Sequence, residues 1–333
     1  MQPEITIIVP VFNGERTLVK ALNSIAEQSF SNFECLIIND GSTDGTETLM
    51  AAYSQSDPRF RPITIPNGGV SHAKNVGLSN AQGNFWMFLD CDDTLELYAL
   101  DTLYTLITQT HADIAIGHIA IEDGTGALVP QSPPIPESIK NPWCMDSETA
   151  VETMFKGQPF GGHLHGKLLR AKPLQSLRYQ EDIFIYEDML FLMDALPLCQ
   201  KIAYTPVIVH HYLTEGGAFS GCLNCRKTSS LRACQRLTAL SQLNFPKAVP
   251  AAKAFAFQNA LSLLEELARA DSDIRSPSWA KTARKEACRI IQCSPMPANM
   301  PTVQKLFCHA VRLGWRTFYL LYKGPYLFLK RWF

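Results

Sequence analysis

Asp90, Asp92 and Asp93 follow directly on an apolar stretch, in the segment GNFWMFLDCDDT from Gly83 to Thr94. Phe85 to Leu89 is an aromatic and aliphatic run of the kind that fills a buried strand. Carboxylates crowded at the carboxyl end of such a strand repel one another and are costly to desolvate, so they need a cation, hydrogen-bond donors or solvent as compensation. A hard divalent ion supplies it. Mg2+ or Mn2+ takes oxygen ligands, commonly one or two carboxylates completed by substrate phosphates and water, which points to a phosphorylated substrate. The competing reading is a solvated acidic turn that caps a helix starting near Thr94, because Asp is common at helix N-caps. Two further acidic pairs, Glu181–Asp182 and Glu187–Asp188, precede a helical pattern of Met189, Leu190, Leu192 and Met193. Either pair could be an N-cap, where negative charge is favoured.

The elements that must position these groups alternate. Ile5 to Val9 (ITIIV) reads as a short buried strand ended by Pro10, and a helix with Leu18, Ala21, Leu22 and Ile25 on one face follows it. Phe33 to Ile38 is a second buried strand that runs into Asn39, Asp40, Gly41, Ser42, Thr43 and Asp44. Asp44 is placed to cap the next helix, with Glu47 as its capping-box partner. Strands alternating with helices imply βαβ units and a parallel sheet, with ligands beyond the carboxyl ends of the strands. The polar sets Pro10–Glu15, Asn39–Asp44 and Asp90–Asp93 are therefore expected in one crevice. Further on, Leu95–Ile107 reads as a helix, Asp113–Ile119 as a strand and Thr149–Lys156 as a helix, separated by a Pro-rich loop from Pro130 to Pro142 that can hold neither a helix nor a central strand.

The phrases IIVPVFNGE, IINDGSTDGT, NGGVSHAKNVGLSNAQGNF and FLDCDD, in this order and spacing, resemble the nucleotide-sugar half of the family 2 glycosyltransferases. The resemblance is dense over roughly residues 3 to 120, then sparse, with a later anchor at Tyr186, Glu187 and Asp188. It implies the glycosyltransferase A fold: α/β, a Rossmann-like, mostly parallel sheet flanked by helices, here with a helical C-terminal extension. The catalytic domain is expected over residues 1–225, with a nucleotide-sugar half of about 1–125 and an acceptor half of about 140–225, and the helical region over 226–333. The resemblance also distributes roles. Pro10 and Phe12 would border the uracil of a UDP-sugar, and Asp40 would accept the imide N–H of that base. Asn67 and Lys74 lie in the segment that crosses the donor site; Lys74 stands where most relatives carry Arg, which keeps the charge and loses the bidentate fork. Asp90 would reach the ribose or sugar, Cys91 would join it in binding the donor, and Asp92, the second Asp of Asp-x-Asp, would hold Mn2+ or Mg2+. Asp93 is left to cap the following helix. The resemblance selects the second acidic pair, with Asp188 as base, and leaves Glu181 and Asp182 structural. His211 and Ser220 would touch the donor diphosphate, with Gly216 and Gly217 freeing a lid between them. His163 and His165 read as loop filling, beside a Lys-bearing element at Lys167.

The chain of 333 residues, 46% of them hydrophobic, can bury a large core, and its net charge of -1 gives no reason to expect nucleic-acid binding. The amino terminus MQPEITIIVP shows no basic leader and its apolar run is too short for a signal peptide or a span, so the protein is expected in the cytoplasm. Ten cysteines without a secretory signal read as reduced thiols, and Cys222–Cys225 is a lone CxxC without a zinc-spaced second pair. Ala251–Arg269 reads as a packing helix. No acidic residue follows Arg289; Lys305, Arg312, Arg316, Lys323, Lys330 and Arg331 alternate with aromatic and aliphatic residues to Phe333. That pattern fits an interfacial helix on the inner face of an anionic membrane, or an amphipathic helix packed on protein. The expected partners are a nucleotide-sugar donor and a glycan or glycolipid acceptor, in cell-surface polysaccharide synthesis. Two rival functions are a sugar nucleotidyltransferase, which VPVFNGE does not fit because it lacks a Gly-rich phosphate loop, and a non-catalytic sugar-nucleotide-binding scaffold, which the presence of Asp92 and Asp188 disfavours.

Overall fold

The computed structural model describes residues 2–123, 127–129, 141–213, 223–224, 226–270, 277–294, 296 and 302–322. It divides into two compact units, Met1–Glu181 with Glu187–Gly217 and Asp182–Tyr186 with Ala218–Phe333.

The first unit is built on a mixed sheet of nine strands among the described residues. β1 (Ile5–Val11), β2 (Phe33–Asp40), β3 (Phe60–Ile65) and β4 (Phe85–Phe88) run parallel in the order β3-β2-β1-β4, linked by α1 (Leu18–Ala26), α2 (Thr46–Ser56) and α3 (Val70–Asn80). β1 and β2 are buried along their whole length, which is why both are mostly apolar; the buried exceptions near their starts, Thr6 and Glu34, hydrogen-bond to each other at 2.8 Å. α1 buries Leu18, Ala21, Leu22 and Ile25, the helical spacing of one face, in the core that holds Ile5, Ile7, Val9 and Ile37. Each buried Leu or Ile of that stripe contributes roughly 1.5–3 kcal/mol.

Past β4 the sheet is mixed. β8 (Lys167–Arg170) is antiparallel to β4 and to β6 (Ile114–Glu122). β9 (Ile202–Leu213) is parallel to β6 and antiparallel to β5 (Thr94–Leu95) and β7 (Trp143–Met145). The expected helix at Leu95 begins later, as α4 (Ala99–Thr110), because Thr94 and Leu95 are drawn into pairing with His211 and His210. α5 (Ser147–Lys156) is capped by Asp146, whose side chain accepts the Thr149 N–H at 2.8 Å, and ends at Gly157 with φ 72°. α6 (Glu187–Ala195) is entered through Tyr186 in the left-handed region, φ 68°.

The loops after β1 and β2 are laced together. Ser42 Oγ accepts from the Asn13 N–H at 2.9 Å, and Asn13 Oδ1 accepts from the Thr43 N–H at 2.8 Å. Asp44 accepts the N–H groups of Thr46 and Glu15, each at 3.1 Å, and Glu15 accepts from Gly45 at 3.3 Å. The reciprocal partner of Asp44 is thus Glu15 on the neighbouring loop, not the expected Glu47, whose carboxylate faces Thr64 at 3.4 Å. A local capping box has been exchanged for a tie between two strand ends.

The second unit is helical: α7 (Ser229–Asn244), α8 (Val249–Arg269), α9 (Ser278–Cys293), α10 (Thr302–Leu313) and α11 (Trp315–Leu321). Leu231, Phe257, Leu261, Leu264, Ile291, Val311, Phe318 and Tyr322 form its core. Within the basic, aromatic tail, Val311 and Phe318 are fully buried in this core, as is Tyr322, and Arg312 donates to the Ser294 carbonyl. Leu306, Leu313 and Leu320 remain exposed. No helix among the described residues is long and apolar enough to cross a membrane. Lys323 to Phe333, most of the Pro-rich loop, the Gly216–Gly217 hinge, Ser220 and the Cys222–Cys225 pair lie outside the described residues.

Candidate active site

The second acidic pair opens α6 and meets the α3 lysine. Lys74 Nζ lies 2.7 Å from Asp188 Oδ1 and 3.6 Å from Glu187 Oε1, while Asp188 Oδ2 accepts the Leu164 N–H at 3.1 Å. Lys74 is 2% and Asp188 7% exposed, so the pair is taken almost wholly out of water. Burial alone would raise the Asp188 carboxyl; the charges of Lys74 and His165 outweigh it and hold the group below the usual carboxylate range. Burial likewise opposes the charge on Lys74, and Asp188 and Glu187 reverse that, holding its ammonium firmly protonated. Glu187 moves the other way: burial pushes its carboxyl up to about 7. The earlier pair lies elsewhere, with Glu181 accepting from Asn75 at 3.1 Å and facing His72 at 3.0 Å.

Asp90, Asp92 and Asp93 come together as an acidic cluster, their carboxylate oxygens within 4.8 Å of one another. They are not equivalent. Asp93 does not cap the following helix. It is 1% exposed, accepts from the Leu213 N–H at 3.1 Å, and lies 2.8 Å from His210 Nε2 on β9. The cap assignment is corrected because β5, not a helix, begins at Thr94. Asp90 faces His165 Nε2 at 3.1 Å; burial would raise its carboxyl, but the bond and charge of His165 and the charge of Lys74 hold it low. Burial lowers the His165 imidazole, and the bond to Asp90 with the charges of Asp90 and Asp93 raises it above its ordinary value. Asp92 has no such partner: burial and the neighbouring Asp93 and Asp90 charges push its carboxyl up to about 6.

His165 and His210, neither of them a candidate from the sequence, are the imidazoles that meet the aspartate cluster. His165, read as loop filling, is 8% exposed and stacked between His163 at 5.6 Å and His210 at 4.9 Å, with Tyr212 at 5.4 Å. His211, the expected donor contact, lies on the opposite face of β9, where Nε2 is 2.7 Å from Glu96 and Nδ1 is 2.7 Å from Glu122. The structure therefore brings His210 rather than His211 to the aspartates. Lys167 is buried with its ammonium donating to the His163 carbonyl, and burial lowers it to about 8.

The remaining candidates surround the end of β2. Asp40, 4% exposed, accepts from the N–H of Gly68 at 2.7 Å and of Gly69 at 2.9 Å, and from Asn67 Nδ2 at 3.2 Å; Asn67 also donates to the Asp40 carbonyl at 2.8 Å. Gly41, at φ 71°, permits this approach, since a Cβ there would come within 2.8 Å of the Asn67 nitrogen. Pro10 lies within β1 opposite Ile38, and Phe12 just beyond the strand is 49% exposed. Cys91 turns away from its acidic neighbours: it packs on the core around α1, and burial with the Asp92 and Asp90 charges pushes its thiol up to about 12.

The donor set fits a hard divalent cation. Asp92 carries the carboxyl with the greatest unmet charge, and a cation would satisfy it in place of the proton it holds up to about pH 6. Asp93, His165 and His210 also bring ligand atoms within 4.8 Å of one another, so nitrogen donors lie beside the oxygen set.

The sequence matches the Glycosyl transferase family 2 profile over residues 6–178, just over half of the chain. It is 30% identical over 251 residues to the glycosyltransferase GlyA of Streptococcus pneumoniae serotype 4, covering 73% of this chain and 35% of that one. It is 28% identical over 216 residues to the poly(ribitol-phosphate) beta-N-acetylglucosaminyltransferase TarS of Staphylococcus aureus, covering 63% of this chain and 35% of that one. The chain spans between 35% and 60% of the length of the first curated relatives it matches. In fold it is similar to the crystal structure of S. aureus TarS 1-349 in complex with UDP-GlcNAc, with a TM-score of 0.72 and 20% identity, covering 97% of this chain and 92% of that one. It is also similar to a mannosyltransferase from Pyrobaculum calidifontis in complex with GDP-Man and Mn2+, with a TM-score of 0.52 and 16% identity, covering 97% and 85%. The profile match over more than half of its length places the chain in glycosyl transferase family 2.

Proposed function

We propose that this chain is an inverting glycosyltransferase that moves a hexosyl or N-acetylhexosaminyl group from a UDP-sugar to a hydroxyl of a glycan or glycolipid in bacterial cell-surface glycan synthesis. The observation that carries the reading is the buried Lys74–Asp188 pair, between helices α3 and α6, whose lysine charge acts on Asp90 of the aspartate cluster. Family membership and the UDP-GlcNAc bound by the TarS structure support the donor class.

Each residue then has a task. Asp40, held by the Asn67–Gly69 backbone, keeps carboxylate lone pairs for the uracil imide N–H, and Pro10 and Phe12 border the base. Lys74 offers its ammonium to the leaving diphosphate. Asp188 accepts the acceptor hydroxyl's proton as the alcohol attacks the anomeric carbon from the face opposite the nucleotide, which inverts that carbon. Asp92, with Asp90 and the imidazoles of His165 and His210 at hand, would hold a Mn2+ or Mg2+ ion. Such an ion, when bound, supplies positive charge against the charge developing on the diphosphate. The exposed leucines of α10 and α11 and the basic, aromatic sequence after Tyr322 support a peripheral contact with the inner face of an anionic membrane.

The test is a panel of UDP-sugars incubated with purified protein and Mn2+ or Mg2+, scored by UDP release and by thermal shift. Release and stabilisation with at least one UDP-sugar are expected; neither response across the panel, with GDP-sugars active instead, overturns the donor assignment.

A further inference from the structure

One buried polar group beside the base has no close partner. Tyr179 is 4% exposed and its phenol oxygen is enclosed without a hydrogen bond of ordinary length; the group near enough to act on it is the Asp188 carboxylate, which the phenol reaches only loosely. Leaving a hydroxyl in that state costs free energy, and an unpartnered buried donor in a well-packed site needs a reason. Its surroundings do not let it relax. The ring stacks on Phe191 at 4.5 Å and 14°, and meets Phe88 edge-on at 5.8 Å. Asn75 clamps the backbone from both sides, Oδ1 accepting the Tyr179 N–H at 2.7 Å and Nδ2 donating to the Tyr179 carbonyl at 3.0 Å. The phenol is thus fixed by three elements, and its only soft coordinate is rotation of the O–H bond.

What it faces is the base. Lys74 Nζ lies 5.2 Å from the Tyr179 ring centroid and 2.7 Å from Asp188 Oδ1. Burial and the charges of Asp188 and Glu187 keep the phenol proton in place, so the group is a donor and not an anion. Asp188 accepts one backbone N–H, from Leu164, and one ammonium. If Lys74 turns to a diphosphate, as the proposed function requires, the base is left with the Leu164 N–H alone in a site largely closed to water, where an under-solvated carboxylate can rotate or take a proton from the wrong source.

We propose that Tyr179 is a positioning residue for the base: its hydroxyl donates to Asp188 when Lys74 moves to the leaving diphosphate, holding the carboxylate aimed at the acceptor hydroxyl. This rests on the assignment of Asp188 as base. It explains why a hydroxyl stands without a close partner where the aromatic packing asks only for a ring. Stability and turnover should therefore separate at this position, because the bond that matters forms only with donor bound.

The experiment compares wild type, Tyr179→Phe and Asp188→Asn with the UDP-sugar found active in the panel above. Tyr179→Phe keeps the ring and removes the oxygen, so its Tm without donor should equal or exceed that of wild type. Its KM for donor should stay within about twofold while kcat falls about 10-fold, the scale of one hydrogen bond to a charged group. The acid limb of its pH–rate profile should move to higher pH, since a carboxylate that loses a donor becomes easier to protonate. Wild-type kcat and an unmoved acid limb in Tyr179→Phe, with Asp188→Asn impaired, overturn the proposal. A lower Tm for Tyr179→Phe also overturns it, by making the hydroxyl structural. An Asp188→Asn enzyme that turns over normally defeats the base assignment itself, which is a different result.

Discussion

Lys74 and Asp188 stand 114 positions apart in the chain and meet at 2.7 Å, their side chains 3% and 10% exposed. A buried pair of this kind adds little net stability over an apolar substitute, but either member left alone is an uncompensated buried charge. Lys74→Met should accordingly destabilise the protein by about 3–5 kcal/mol at pH 7, read from denaturant midpoints. The penalty has a pH signature. Asp188 is held below its ordinary 3.8, so its contribution is present above that value and is lost as pH falls through the lower folded one. The gap between wild type and Lys74→Met should therefore narrow below pH 3.8. A gap that stays constant into acid would mean the lysine acts by packing alone.

Asp92 carries the opposite sign. Its carboxyl is pushed from 3.8 up to about 6, so the folded state binds the proton more tightly than the unfolded chain does. Ion-free protein should then lose stability as pH rises across that interval. Asp92→Asn removes the loss. In chelator at pH 7 it should melt above wild type, by roughly 2–4 °C for each 1 kcal/mol recovered in a domain of this size. Mn2+ should raise the Tm of wild type and leave that of Asp92→Asn unchanged. An undiminished Mn2+ shift in the variant would move the ion to other ligands.

Asp93 should behave unlike its neighbour. It ties the aspartate cluster to β9 through His210 and the Leu213 N–H, and nothing in that pairing needs a ligand. Asp93→Ala should cost about 1.5–3 kcal/mol of folding stability with or without Mn2+, the scale of a hydrogen-bonded buried charge. A variant of wild-type stability that has lost only its Mn2+ response would make Asp93 a ligand first and a strut second.

The carboxyl-terminal region calls for two truncations. Removing residues from Lys305 onward takes out Cys308, Val311, Phe318 and Tyr322, all fully buried, and should unfold the helical unit. Removing residues 324–333 spares that core. If the tail binds membrane, the shorter deletion should remain soluble, lose co-sedimentation with anionic liposomes at low salt, and keep transfer to a soluble acceptor. Equal liposome binding by this variant and the full chain would assign the contact elsewhere or to none.

Much of the first unit was legible because its strands are buried on both faces. Ile5–Val9 and Phe33–Ile38 are apolar except at Thr6 and Glu34, which pair with each other at 2.8 Å, and no distant neighbour is needed to read the rest. Asp188 and Lys74 came from motif resemblance, and their meeting could not be read locally. The choice between His210 and His211 was hidden for a physical reason. Adjacent residues on a strand point to opposite faces, and which face meets the aspartates is set by the register of β9 against β5 and β6. His165 and Asp93 were missed alike, since a His beside two glycines and an Asp before a Thr resemble loop and cap until partners 75 and 117 positions away arrive. The tail left two readings open because a basic, aromatic amphipathic helix has one composition whether its apolar side faces lipid or the core of its own unit.

The most direct measurement is donor affinity and turnover for Asp188→Asn beside wild type, with the same UDP-sugar and acceptor. The expected result is donor affinity within about twofold of wild type and turnover lower by roughly 10² to 10⁴, the worth of a positioned general base. Wild-type turnover by Asp188→Asn would contradict the assignment and remove the base from this site.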